Sequence, residues 1–221
     1  MIICSDLSDV LIKGIYGFEK IVAARYGEDV AKKCWVRFLE VENYFRDLLR
    51  GEMAEDEFWR IVLSEGTWPF GLSEIKGIFS KNLQGVVPGT LDVYRRIVSH
   101  PCSLVNHHGM ALSGRPEIYI ISDHIEERLD EVKGYHPDVF SLVSKTFWSC
   151  ELGMIKMDDN FFPRFLRIID VPKDEIIFID DNSLNTTAAA QAGIASIRFE
   201  NATQLETVMK EYGFQFAEAT R

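Results

Sequence analysis

The sequence contains no run of 18 apolar residues, so no segment is long and apolar enough to be read as a transmembrane helix. Positive charge is scarce: 24 Lys and Arg stand against 34 Asp and Glu, a formal net charge of −10. A nucleic-acid partner requires clustered cations to neutralise phosphates, and that class is not expected. A small anionic substrate needs only one local positive site and remains compatible with an acidic chain. Cysteine is sparse as well. Cys4, Cys34, Cys102 and Cys150 lie far apart, form no CxxC pair and show no spacing with histidine that resembles a zinc ligand set. They read as reduced thiols. Met1 leads straight into an apolar strand, without the basic stretch and apolar core of a signal peptide. Both features fit a cytoplasmic protein.

What is present is ordinary for a folded chain. Of 221 residues, 47% are hydrophobic and 26% charged, enough to build a core without disulfides or structural metals. Ile2–Cys4 reads as a short buried strand running on to Asp6. Between residues 14 and 85 apolar residues recur at three- and four-residue spacing, as in Phe18, Ile21, Val22 and in Trp35, Phe38, Leu39. Gly27, Gly51, Gly66 and Trp68-Pro69 punctuate that stretch, which predicts a small all-helical module. A helix over Leu91–Val98 follows. Glu117–Ile121, Glu175–Ile179 and Ala195–Phe199 predict buried strands, and Val139–Val143 and Thr146–Trp148 two short ones. Helices are predicted over Ile125–Val132, Asn160–Ile169, Thr187–Ala192 and Leu205–Tyr212. The stretch His100–Pro116 carries no readable pattern. Apolar strands alternating with helices predict an α/β fold, a Rossmann-like parallel sheet with helices on both faces. The expected division is a core of residues 1–13 and 86–221, with residues 14–85 as a separate all-helical module.

In such sheets functional residues gather at the carboxyl ends of strands. Three predicted strands end in polar groups: Asp6, Ser122-Asp123 and Asp180-Asp181, with Lys156 between the last two in sequence. Taken singly, each has a commoner structural role. An Asp after a strand is usually a turn or cap residue, Asp123–Glu126 has capping-box spacing, and a lone lysine is usually solvated. Two adjacent aspartates are less usual, because their repulsion calls for a cation.

Together, Asp6-Leu7-Ser8-Asp9-Val10-Leu11, Ile120-Ile121-Ser122-Asp123, Gly153-Met154-Ile155-Lys156 and Phe178-Ile179-Asp180-Asp181-Asn182 resemble the four ordered motifs of the haloacid dehalogenase superfamily. The likeness covers nearly the whole chain, and the helical stretch after the first motif is similar to the α-helical cap of one subgroup. The resemblance implies a hydrolase, a Mg²⁺-dependent phosphatase acting on a small phosphorylated metabolite. Asp6 would attack phosphorus to give an aspartyl-phosphate that water then hydrolyses. Ser122, Asp123 and Lys156 would form the phosphate site. Asp6, the Ser8 carbonyl and Asp180 would hold the metal, with Asp181 as the alternative or a ligand through water. Lys13, Tyr16, Tyr44, Arg46, Trp59 and Trp68 are candidates for substrate contact by composition only, cap core or solvated surface being the commoner role for each. His107 and His108 could reach the site from their loop but are expected to be solvated. A monomer or homodimer is expected.

One position departs from the pattern. Most phosphatases of the family carry an aspartate two residues after the nucleophile as general acid and base, and here that residue is Ser8. Asp9 lies one step further, which on an extended chain turns its side chain to the opposite face. Three readings follow: a phosphatase that moves its proton by another route, a dehalogenase-like hydrolase whose nucleophile attacks carbon, or a catalytically weak binding protein. Met157 replaces the usual proline after the lysine, with only a small loss of loop stiffness expected.

Overall fold

The computed structural model describes residues 1–14, 17–99, 102–105, 111–214 and 216. Its strands in chain order are β1 (Ile2–Ser5), β2 (Cys102–Val105), β3 (Ala111–Gly114), β4 (Glu117–Ser122), β5 (Val143–Trp148), β6 (Ile176–Asp180) and β7 (Ala195–Arg198). Five of them form a parallel sheet in the order β5-β4-β1-β6-β7. From β1 the chain builds outward first through β4 and β5, then on the other side through β6 and β7. The order therefore reverses at β1, and the crevice at a reversal of this kind is where ligands bind in open α/β sheets.

Strand periodicity explains why both faces are covered. Ile3, Ile118, Ile120, Ile177 and Ile179 point into one core; Ile2, Cys4, Tyr119, Ile121, Ile176 and Phe178 point into the other. The second core is closed by α10 (Phe161–Ile169) and α11 (Ser183–Gln191), through Phe161, Phe162, Phe165 and Ala189. On the first face lie α6 (Thr90–Ser99), α7 (Leu129–Tyr135) and α12 (Ala202–Glu211), burying Val93, Val132, Leu205 and Met209.

Five helices fill the stretch after the first motif: α1 (Phe18–Tyr26), α2 (Glu28–Glu40), α3 (Glu42–Leu49), α4 (Glu55–Leu63) and α5 (Leu72–Leu83). Their aromatic centre, with Phe18 stacked on Trp59 and Phe58 edge-on to Phe38, is continuous with the first core of the sheet. Polar ties fasten the insert as well. Glu55, 1% exposed, accepts hydrogen bonds from Arg128 Nε at 2.9 Å and Nη2 at 2.7 Å. The same carboxylate accepts from Trp59 Nε1 and pairs with Lys76. Arg50 pairs with Asp158 at 2.6 Å, and His136 Nε2 meets the Leu83 carbonyl at 2.6 Å.

Several expectations needed correction. The capping box at Asp123–Glu126 does not form: a 3₁₀ turn starts at Glu126 without a side-chain cap and leads into α7. Val139 is helical, because Pro137 opens α8 (Pro137–Phe140), and β5 is one strand rather than two. The helix expected from Thr187 starts at Ser183, where the Asn182 side chain accepts from Leu184 N–H at 2.9 Å. Part of the unreadable 100–116 stretch is an antiparallel hairpin, β2 with β3. Tyr16, His107 and His108 lie outside the described residues. Among the described residues no helix is long and apolar enough to cross a membrane.

Leaving Arg128 without its buried carboxylate is costly, so Glu55→Ala should lose about 3 kcal/mol of stability in urea unfolding. Adding Arg128→Ala should cost less than the sum of the two single changes. A loss under about 1 kcal/mol would mean that the pair does not fasten the insert.

Candidate active site

Register alone brings the strand-end residues together. Asp6 follows the last residue of β1, and its N–H extends the ladder to the Ile179 carbonyl at 2.8 Å. Asp180 ends β6 beside it, and Ser122 ends β4 on the other side. A short relay fixes the backbone at Asp6: Tyr94 Oη donates to Ser5 Oγ at 2.6 Å, which donates to the Asp6 carbonyl at 2.6 Å.

Lys156 arrives from the far side of β5. The chain leaves β5 into α9 (Ser149–Leu152), which ends at Gly153 with φ 64°, a left-handed conformation that favours glycine. Both oxygens of Asp123 then receive the Lys156 backbone N–H, at 3.1 and 3.3 Å. The lysine side chain, 2% exposed, reaches Asp180 Oδ2 at 2.6 Å and Asp6 Oδ2 at 2.8 Å. Asp6 Oδ1 accepts from the Leu7 N–H at 2.7 Å.

Charge at this point is unbalanced. Oxygens of Asp6, Asp180 and Asp181 lie within 4.8 Å of one another. Burial pushes the Asp6 carboxyl well above the usual carboxylate range; Lys156 pulls it back, and Asp180 pushes it up again. Burial and then Asp180 raise Asp181 to about 6. Burial also raises Asp123 to about 6, against the pull of Lys156. Lys156 resists the desolvation that would neutralise it, because Asp180 and Asp6 hold its proton, and its pKa is raised. One ammonium thus serves a group of carboxylates. The oxygen donors and the missing positive charge both suit a hard divalent cation.

A cavity of about 210 Å³ opens over these groups. Asp6, Ser8, Asp123, Lys156 and Asp181 form its floor, whereas Ser122 and Asp180, at 1% and 0% exposure, lie beneath it. Ser122 Oγ is buried with no hydrogen-bond partner, an unsatisfied donor next to the floor. Of the cap candidates described, Arg46 alone lines the cavity. Trp59 is fully buried in the insert and Tyr44 faces outward at 46% exposure. Trp68 stacks on Phe70, and the Lys13 backbone pairs with the Gly85 carbonyl.

Asp9 takes the turn role. Its φ is 55°, and its Oδ1 accepts from the Gly14 N–H at 3.0 Å. Asn185 belongs to the stretch that resembles the fourth-motif helix, but nothing in the sequence assigns it a task. Its amide donates to both oxygens of Asp180 at 3.1 Å, and the Asn182 N–H donates to Asp180 Oδ1 at 2.8 Å. The signal was an asparagine one helical turn inside α11, on the side facing the strand end. His124 also lines the cavity; burial drives its pKa down to about 4, so it is a neutral ring lying edge-on to Trp148.

No protein-family model matches the chain. Over 69 residues, 31% of the chain, it is 35% identical to drimenol cyclase drtB of Aspergillus calidoustus, covering 13% of that protein. Over 71 residues, 32% of the chain, it is 34% identical to the chloroplast flavin mononucleotide hydrolase 1 of Arabidopsis thaliana, covering 29% of that protein. The chain therefore aligns with less than a third of the length of either curated relative. Whole-chain likeness comes from solved structures. A HAD family enzyme of Bacteroides thetaiotaomicron, solved with magnesium and inorganic phosphate, superposes with a TM-score of 0.63 at 15% identity, covering 92% of this chain and 97% of that one. The L-2-haloacid dehalogenase of Xanthobacter autotrophicus gives a TM-score of 0.61 at 13% identity, covering 99% and 85%. The chain has the fold of the haloacid dehalogenase family enzymes.

Proposed function

We propose that the chain is a phosphatase that hydrolyses a small phosphorylated metabolite through an aspartyl-phosphate on Asp6, with Mg²⁺ as cofactor. The buried ammonium of Lys156, shared between Asp6 and Asp180 with Asp181 at the same point, carries this reading. The magnesium and phosphate bound by the Bacteroides enzyme of the same fold add support. The helical insert over residues 14–85 would act as the cap, and the protein would work in the cytoplasm as a monomer or homodimer.

A carboxylate oxygen of Asp6 forms a bond to phosphorus while the ester P–O bond breaks and the leaving oxygen takes the electron pair. Water then attacks the same phosphorus, the acyl-phosphate bond breaks, and Asp6 leaves as a carboxylate beside inorganic phosphate. Lys156 offsets the charge of the phosphoryl oxygens, Ser122 Oγ is the unpartnered donor beside it, and Asp123 positions the lysine through its backbone N–H. Mg²⁺, when bound, would draw negative charge from the transferring group. Asp6, the Ser8 carbonyl and Asp181 are the fitting ligands. Asp181 lines the cavity, whereas both oxygens of Asp180 already receive Asn185, and Lys156 and the Asn182 N–H besides. This preference for Asp181 reverses the order expected from motif spacing.

The dehalogenase reading is favoured by Ser8 and by the shared fold with the Xanthobacter enzyme. The carboxylate group at the floor weighs against it, since attack on carbon by this family's nucleophile does not use a metal. A binding protein without turnover is the other reading that Ser8 allows.

Phosphate release from an aryl phosphate should require Mg²⁺, stop with EDTA and fall by about 10³-fold or more in Asp6→Asn. Activity that survives both treatments would sink the proposal. With no carboxylic acid at position 8, the leaving oxygen must draw its proton from water. Aryl phosphates should therefore react faster than alkyl phosphates, and Ser8→Asp should narrow that gap by about 10²-fold. An unchanged ratio would place proton transfer elsewhere.

Thermal melting gives a third check. The raised folded pKa values of Asp123 and Asp181, about 6 against 3.8, mean that ionising them opposes folding as pH rises through that window. A bound cation relieves that cost, and protons compete with it below pH 6. The rise in Tm caused by Mg²⁺ should accordingly be larger at pH 8 than at pH 5. An equal rise at both would put the cation at another site.

A further inference from the structure

Part of the cavity lining is apolar. Phe45 and Leu49 from α3 and Phe79 and Leu83 from α5 form it, with Met157 at the mouth, 41% exposed. These side chains line the same cavity as Asp6 and Lys156, so they are available to the part of a substrate beyond its phosphate. Charge points the same way. Arg46 on this wall is not a free cation, because Glu42 pairs with it at 2.8 Å. Asp9, Asp123 and Asp181 also face the cavity. A second phosphate or a carboxylate would meet repulsion from these carboxylates, and among the described lining residues the only cations are Lys156 and the Glu42-paired Arg46. Size sets a third bound, because about 210 Å³ falls below the roughly 300–1,000 Å³ usual for drug-sized ligands.

We infer that the substrate is a phosphate monoester with a compact apolar body, about one ring in size, and no second anionic group. The body packs on Phe45, Leu49, Phe79 and Leu83, and Met157 closes over its outer edge. An unbranched, polarisable thioether adapts to such a body better than a proline ring at that position would. Met157 is thus a specificity residue. This inference rests on the phosphatase reading for the position of the phosphate, although the wall itself does not depend on turnover.

Turnover rates would mix leaving-group effects with recognition, so the test is binding of three non-hydrolysable phosphonates in the presence of Mg²⁺, by isothermal titration calorimetry. Benzylphosphonate should bind about tenfold more tightly than 2-hydroxyethylphosphonate. Phosphonoacetate, with its extra carboxylate, should bind most weakly. Met157→Gln should weaken benzylphosphonate several-fold and leave 2-hydroxyethylphosphonate unchanged. Phe45→Leu, its folding checked by melting temperature, should do the same. Equal affinities for the three probes, no binding of any, or a preference unmoved by both variants would overturn the inference. A benzyl preference that responds to Met157→Gln, in a protein that turns over no phosphate ester, would remove the phosphatase reading and leave the apolar subsite standing.

Discussion

Lys156 Nζ lies within 2.8 Å of Asp6 and 2.6 Å of Asp180, at the point where three strands end. An ammonium so fully removed from water is tolerable only where carboxylates surround it, and carboxylates so buried are tolerable only beside it. The surrounding architecture serves that pairing. The parallel register of β1 with β4 and β6 sets the strand ends side by side. Gly153 turns the chain out of α9, Asp123 fixes the lysine backbone, and Asn185 holds the carboxylate of Asp180. Positive charge is still in deficit, and that deficit suits a cation beside the carboxylates rather than a closed ion pair.

The fold and the meeting of its strand ends were largely legible in the sequence. Buried parallel strands are nearly continuous apolar runs, and chemistry in such sheets gathers at their carboxyl ends, so Asp6, Ser122 and Asp180 could be found by where apolar runs stop. Other features depend on pairings that no local pattern encodes. The spacing from Asp123 to Glu126 fits a cap, but the Asp123 carboxylate turns instead to Lys156 N–H. Trp59 and Arg46 were indistinguishable by composition as cap residues; one is the buried centre of the insert and the other reaches the cavity. Asn185 is one polar residue on a short helix, and its task is visible only once β6 lies alongside.

Ser8 separates the parts of the site that bind from the part that moves a proton. Asp6 and Lys156 meet at the strand ends, while Asp9 is committed to the Gly14 N–H. Under the phosphatase proposal such a site would handle a good leaving group with little help and a poor one slowly, so the leaving oxygen and the apolar lining would act as two separate filters on one substrate.

The buried pair of Glu55 and Arg128 carries a consequence for how this protein can drift. Either residue changed alone leaves the other short of a partner, Glu55 with Lys76 and Arg128 with Glu131, whereas a joint exchange for apolar residues of similar volume can be neutral. Relatives that keep this contact should therefore vary at the two positions together, as a linked pair on an otherwise permissive surface. The insert can then diverge to suit new substrates only as fast as this joint admits double steps.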